Sequence, residues 1–216
     1  MGKSRAAFTL IELLVTTLAF AAITAVAWAG YAHIVRSGRV AQAMSDMRQL
    51  GAVALAYAAD NDGRLPQSSH QGPKAAWTTV LKRSVPARLF RNPLDETERT
   101  NSYAINDLVT ERPYGAEDVN FSRLQNIPAP SQTLLFGVRA RGSTNSDHFH
   151  FASEGWAPDA FTAEVWTELF DGAGFYLFVD GHVERRQWDE LRRSLLEPGN
   201  RFIHPDGNPP PDTQNP

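Results

Sequence analysis

One carboxylate near the start of a long apolar stretch requires a chemical explanation. Glu12 follows Phe8 and Thr9 and precedes Leu13–Ala29, an uncharged run of about 17 residues, which is close to the minimum for crossing a bilayer. A charged side chain in a membrane helix costs about 2.5–3.5 kcal/mol on insertion scales, so Glu12 needs a partner. Two partners fit the position. The pattern Thr9-x-x-Glu12 can cap a helix start, and a cation from another chain can neutralise the carboxylate.

The residues before Glu12 have a distinctive order. A short basic segment, 1–7, leads into the hexapeptide Ala-Phe-Thr-Leu-Ile-Glu, which runs from Ala7 to Glu12 and opens the apolar stretch. This arrangement resembles the processing site of type IV prepilins and type II secretion pseudopilins. In that family a membrane peptidase cuts before the Phe and methylates the new amine, and the Glu guides assembly. The resemblance implies cleavage between Ala7 and Phe8 and an assembly role for Glu12, although the family usually has Gly where this chain has Ala7.

A secretory signal peptide is the main alternative for this segment. Ala27-Trp28-Ala29 resembles a small-x-small cleavage site. The length of the apolar run and the early carboxylate count against that alternative. Charges do not settle the orientation, because Lys3 and Arg5 before the run are balanced by Arg36 and Arg39 after it. The resemblance implies a single-pass inner-membrane protein with a cytoplasmic N-terminus and a periplasmic C-terminal domain, or a filament at the cell surface.

Composition argues against several other classes of function. The net charge of -3 and the pI near 6.1 are unlike those of a nucleic-acid binder. The absence of cysteine removes disulfides and thiol catalysis. The sequence contains no G-x-S-x-G, H-E-x-x-H or P-loop pattern. We therefore expect no enzyme activity, no catalytic residue and no cofactor.

Beyond the membrane, the periodicity predicts that the helix continues through residues 36–60. Its apolar stripe has three- and four-residue spacing, which is typical of a helix face that covers a protein core. The opposite side carries four polar residues and is expected to face solvent (Arg39, Gln42, Asp46, Gln49). Asp60 to Gly63 should end the helix, and Pro66 should prevent it from resuming. Asp60-x-Asp62-Gly63 lacks the later ligands of a calcium loop and is better explained as a turn.

The remaining sequence alternates short apolar runs with turns. The predicted strands are Ser102–Ile105, Thr133–Val138, Phe149–Phe151, Phe175–Val179 and residues 182–185, and a helix is predicted at Trp188–Leu196. Asp180-Gly181 between the last two strands is a hairpin signal. The predicted fold is α+β and pilin-like, a long N-terminal helix packed on a small antiparallel sheet in two layers. The sequence thus divides into five predicted segments: a leader (1–7), a transmembrane helix (8–35), its amphipathic continuation (36–60), a globular domain (61–204) and a disordered tail (205–216).

The resemblance extends, with less specific motifs, into the C-terminal domain. Asn101–Asn106 and Phe178–Val183 are similar to segments of a pseudopilin-like group with large C-terminal domains, common in planctomycete- and verrucomicrobium-type bacteria. Many members carry a His, nine residues and then Asp-Gly. Here the Asp-Gly is Asp180-Gly181, but Phe170 occupies the position of that His.

Histidines and carboxylates in the second half could form a metal cluster. His148 and His150 would share one side of a strand, with Asp147 beside them, and Asp180 and His182 flank the hairpin turn. Nothing in the sequence brings the two regions together. We interpret these histidines as partly exposed side chains in polar loops and predict no metal ligand.

The sequence therefore predicts a structural subunit, a pseudopilin or minor pilin. Its expected partners are a prepilin peptidase, other pilin or pseudopilin subunits, an inner-membrane assembly platform and membrane lipid, and nucleic acid is not expected. The alternative is a membrane-anchored module that binds a ligand or secreted cargo without forming filaments. A membrane-tethered metalloenzyme is a weaker third hypothesis.

Overall fold

A computed structural model describes residues 9–114, 120–150 and 158–207. Within them the chain forms four α-helices and five strands, with short 3-10 helices between them. The chain divides into two compact units, Met1–Ala41 and Gln42–Pro216, and the first helix runs through the boundary between them. The helices are α1 (Leu10–Asp60), α2 (Trp77–Val80), α3 (Pro158–Glu164) and α4 (Trp188–Leu195), and the strands are β1 (Tyr103–Asn106), β2 (Leu134–Val138), β3 (His148–Phe149), β4 (Ala173–Phe178) and β5 (Val183–Gln187).

The first part of α1 is long and apolar enough to cross a membrane. Its large apolar side chains are exposed from Leu10 through Ile34. Trp28 and Tyr31 lie side by side, with ring centroids 6.3 Å apart. Aromatic pairs of this kind are typical of the membrane–water interface. From Leu10 to Tyr31 the helix rises about 32 Å, close to the thickness of a bilayer's hydrocarbon core.

The second part of α1 buries one face, as the spacing predicted. Ala43, Met47, Leu50, Ala54 and Ala58 are fully buried. The helix ends at Asp60, and the Gly63 amide donates a hydrogen bond to the Ala58 carbonyl at 2.8 Å, which closes the last turn. The predicted helix end is therefore confirmed.

Asp46 departs from the prediction that it faces solvent. It is only 3% exposed. Its Oδ1 accepts hydrogen bonds from Gln42 Nε2 at 2.8 Å and from Arg88 Nη1 at 3.2 Å. Arg88 belongs to a 3-10 helix at Ala87–Phe90, a segment distant in sequence. Arg39, Gln42 and Gln49 are exposed as predicted, so of these four polar residues Asp46 alone is buried.

The sheet has the strand order β3-β1-β2-β4-β5 and is mixed rather than antiparallel. β1 and β3 pair in parallel, with Ile105 opposite His148, and the other neighbours are antiparallel. The prediction of an antiparallel sheet was wrong at this edge. β2 is antiparallel to β1. After β2 the chain reverses direction and passes to the other edge of β1, so β3 runs parallel to β1.

The prediction of two layers was also wrong, because both faces of the sheet are covered. On one side, α1 approaches so closely that a Cβ at Gly51 would lie 2.7 Å from a methyl of Leu177. On the other side, Tyr176 and Phe178 join a core with Phe161 of α3 and Trp188 of α4. Successive residues of β4 thus face opposite layers, as strand geometry requires. The α+β class is confirmed, with three layers.

The predicted hairpin and closing helix are confirmed. β4 and β5 pair antiparallel, and Gly181 in the turn has a φ of 91°, a conformation that favours glycine. α4 buries Trp188, Leu191 and Leu195. Of the predicted strand Phe149–Phe151, β3 includes Phe149, whereas Phe151 lies outside the described residues. Residues 208–216 of the predicted tail also lie outside them.

Candidate functional site

The start of α1 realises the first of the two partners considered for Glu12. Glu12 Oε2 accepts hydrogen bonds from the Thr9 amide and from Thr9 Oγ1, both at 2.9 Å. In return the Glu12 amide donates to Thr9 Oγ1 at 3.2 Å. This reciprocal pair is a capping box, which satisfies amides that a helix start otherwise leaves unpaired. The predicted processing residues Ala7 and Phe8 lie outside the described residues.

Capping leaves the carboxylate accessible to another chain. Glu12 is exposed, and so are the apolar side chains around it, including Ile11 and Val15. From Leu10 to Val35 it is the only Asp, Glu, Lys or Arg. The first turn of α1 therefore presents one negative charge at the end of an otherwise apolar surface.

A second group of chemically active side chains lies in the C-terminal unit. The imidazoles of His70, His148 and His150 converge so that one ring nitrogen of each lies within 4.8 Å of the others. His148 Nε2 is 3.1 Å from His150 Nε2, which is 3.3 Å from His70 Nε2. His148 is buried, His150 is half-buried and His70 is exposed. We call these three residues the histidine cluster.

Two buried carboxylates lie at the Nδ1 atoms of two rings of the histidine cluster. Asp147 Oδ1 lies 2.7 Å from His148 Nδ1, and Asp107 Oδ2 lies 3.4 Å from His70 Nδ1. Burial raises the pKa of the Asp147 carboxyl, but hydrogen bonds from His148 and Ser69 outweigh that effect and hold the pKa below its usual range. Asp147 is therefore ionised at neutral pH and favours a proton on His148 Nδ1.

The cluster is assembled by contacts between distant parts of the chain. His70 belongs to a 3-10 helix at Ser69–Gln71, where Ser69 donates to Asp147 through its amide at 3.0 Å and its hydroxyl at 2.7 Å. The Asp147 carbonyl accepts from Trp77 Nε1 at 2.7 Å and from the Ile105 amide at 2.8 Å. Asp147, the residue before β3, is thus held by the 3-10 helix at Ser69–Gln71, by α2 and by β1 together.

The interpretation of these histidines as partly exposed loop residues was wrong for His148, which is buried in β3, whereas His150 and His182 are partly exposed outside the strands, as interpreted. The structure brings His148 and His150 together, as their strand spacing allows, and buries His148. Asp180 and His182 do not join them. Instead His182 Nδ1 lies 2.5 Å from Asp180 Oδ1, and its Nε2 lies 3.3 Å from Glu184. His70 was missed, because the sequence around it is a polar loop with no metal-binding spacing.

Comparisons with protein-family models, with curated proteins and with solved structures give no match for this chain. The function proposed below therefore depends on the sequence and on the geometry of these two sites.

Proposed function

We propose that this protein is a structural subunit of a filament, a pseudopilin or minor pilin that is processed by a prepilin peptidase and assembled into a secretion pseudopilus or a type IV pilus. The observation that carries the proposal is the start of α1. A single carboxylate occupies its first turn, and an exposed apolar surface follows as far as Ile34. In a soluble domain such an apolar surface would stay exposed to water, whereas membrane insertion and helix-on-helix assembly both bury it.

Assembly gives Glu12 its second partner. Cleavage before Phe8 creates a positive α-amine a few residues from the carboxylate. When the helices pack together in the apolar core of a filament, the amine of one subunit and Glu12 of its neighbour neutralise each other. Because either charge alone in that environment is costly, the pair also fixes the register between subunits.

The C-terminal unit gives the subunit its folded body. The second part of α1 is one layer of this unit, so anchor and body share one continuous helix. In this proposal the chain spans the inner membrane once, with its N-terminus in the cytoplasm and residues 61–204 in the periplasm or on a surface filament. The partners are the peptidase, other subunits, the assembly platform and lipid.

Crosslinking through α1 tests whether the chain forms filaments. Because the chain contains no cysteine, Ile23→Cys introduces a single thiol on the exposed apolar surface. In cells that contain the assembly machinery we expect oxidation to give a disulfide-linked dimer, since neighbouring helices lie side by side in a filament core and one thiol per chain forms only one disulfide. Denaturing electrophoresis without reductant measures the dimer. The same variant in cells without the assembly platform is the control.

A membrane-anchored binding module would give a different result. Such a protein stays dispersed in the membrane, so Ile23→Cys would remain monomeric whether or not the platform is present. That outcome would contradict the proposed filament role while leaving membrane anchoring intact.

A further inference from the structure

We propose that the histidine cluster binds a zinc ion, outside the membrane and independently of filament assembly. Zinc bonds to imidazole nitrogen at about 2.0–2.1 Å in tetrahedral geometry, which places two ligand nitrogens about 3.3 Å apart. His148 Nε2 and His150 Nε2 are 3.1 Å apart, and His150 Nε2 and His70 Nε2 are 3.3 Å apart. Two of the three pairs of ligand atoms are therefore already spaced as a zinc site requires, and the atoms of the third pair lie within 4.8 Å of each other.

The protonation pattern of the rings favours a cation between them. Each neutral imidazole carries one proton, and the carboxylates of Asp147 and Asp107 attract it to Nδ1 of His148 and His70. The Nε2 lone pairs of those two rings then face His150 Nε2. At most one proton, that of His150, can lie between the three nitrogens, so acceptors outnumber donors there. With the His150 proton on Nδ1 instead, a metal ion can bind all three Nε2 lone pairs at once.

The surroundings have the construction of a zinc site. Metal-binding histidines usually donate their second N–H to a carboxylate, which fixes the ring. The Asp147 carboxylate is the acceptor for His148 Nδ1 and is itself held by hydrogen bonds from Ser69. Asp107 faces His70 and accepts hydrogen bonds from Ser68 Oγ at 2.9 Å and the Tyr114 amide at 2.7 Å. His150 Nδ1 lies 3.4 Å from Asn145 Nδ2, which is itself a donor, so this contact does not accept the second N–H of His150 as a carboxylate would.

The ligand types select zinc over the harder cations. Calcium and magnesium prefer oxygen ligands, whereas three imidazoles suit zinc and its neighbours in the transition series. Three protein ligands leave a fourth position, and His70 is exposed, so that position opens towards solvent. The site can therefore hold a water molecule or a donor atom from a second protein as its fourth ligand.

Zinc binding to the full chain in detergent tests the proposal. After treatment with a chelator and dialysis against zinc, we expect elemental analysis to find one zinc per chain. Cobalt should give the visible absorption of a tetrahedral complex. His70→Ala should weaken zinc binding by about 100-fold or more, beyond the 10–100-fold effect of changing an outer contact. His70 is exposed and so can be replaced without opening the core, and circular dichroism checks the fold.

His182→Ala is the matched control, because His182 contacts carboxylates but lies outside the cluster. It should bind zinc like the wild-type chain. A wild-type chain that retains no zinc, or a folded His70→Ala variant that binds zinc as tightly as wild type, would overturn the proposal. Neither result bears on filament assembly, which the Ile23→Cys crosslink measures separately.

Discussion

Glu12→Gln should leave membrane insertion unchanged and reduce incorporation into filaments by at least about 100-fold, since breaking a buried ion pair costs about 3–5 kcal/mol. Glutamine is chosen because it can still accept the hydrogen bonds from Thr9 that the capping box needs. The variant therefore removes the charge and keeps the helix start. What it leaves unpaired is the α-amine of the neighbouring subunit in the filament core.

Thr9→Ala is the reciprocal control for the charge of Glu12. It keeps the carboxylate but removes the hydroxyl that bonds with it, at an expected cost of about 1 kcal/mol in helix stability. Immunoblots of sheared filaments and of membranes measure incorporation and insertion. If Glu12→Gln enters filaments like the wild-type chain while Thr9→Ala does not, Glu12 serves only to cap the helix, and its assembly role is wrong.

Trp77→Ala should destabilise the C-terminal unit by about 3–5 kcal/mol, a large part of the stability of an ordinary domain. Trp77 is fully buried and packs on Phe90 and Phe136, with ring centroids 5.6 and 4.6 Å away. Its Nε1 also donates to the Asp147 carbonyl. Truncation leaves a cavity and removes one of the two hydrogen bonds to the Asp147 carbonyl, next to the histidine cluster. Thermal denaturation of the full chain in detergent, followed by circular dichroism, measures the loss.

Two other variants separate the contributions of Trp77. Trp77→Phe keeps most of the ring packing and loses the hydrogen bond, so it should fall between Trp77→Ala and wild type. Trp166→Ala removes a half-exposed indole that Arg141 covers at 4.8 Å, and its cost should be much smaller. Equal losses of stability from Trp77→Ala and Trp166→Ala would contradict the role assigned to α2.

Local patterns made much of the fold predictable. The apolar stripe of α1 repeats within single turns, and Asp180-Gly181 joins two strands that are adjacent in sequence. Each of these features depends on residues close together in the chain, and each is confirmed. Asp46 was misplaced because its carboxylate was taken to face solvent. It lies three residues after Ala43 and four before Leu50, at the edge of the buried face, and Arg88, far along the chain, contacts it.

The sheet edge and the histidine cluster depend on long-range pairing. β3 has two residues, and its parallel partner β1 is separated from it by all of β2. A strand this short carries little periodicity, so neither its direction nor its neighbour could be predicted. His70 reaches the cluster because Ser69 bonds to Asp147 across 78 residues of sequence. No local signal around His70 indicates that contact.

The N-terminus of the mature chain tests the central claim most directly. Chain purified from membranes of cells that contain a prepilin peptidase should begin at Phe8 with a methylated α-amine, as shown by mass spectrometry of the N-terminal peptide. Cleavage there both creates the cation that Glu12 is proposed to meet and leaves the apolar part of α1 intact as an anchor. A chain that still begins at Met1, or one that begins at Gly30 after cleavage behind Ala29, would contradict the account.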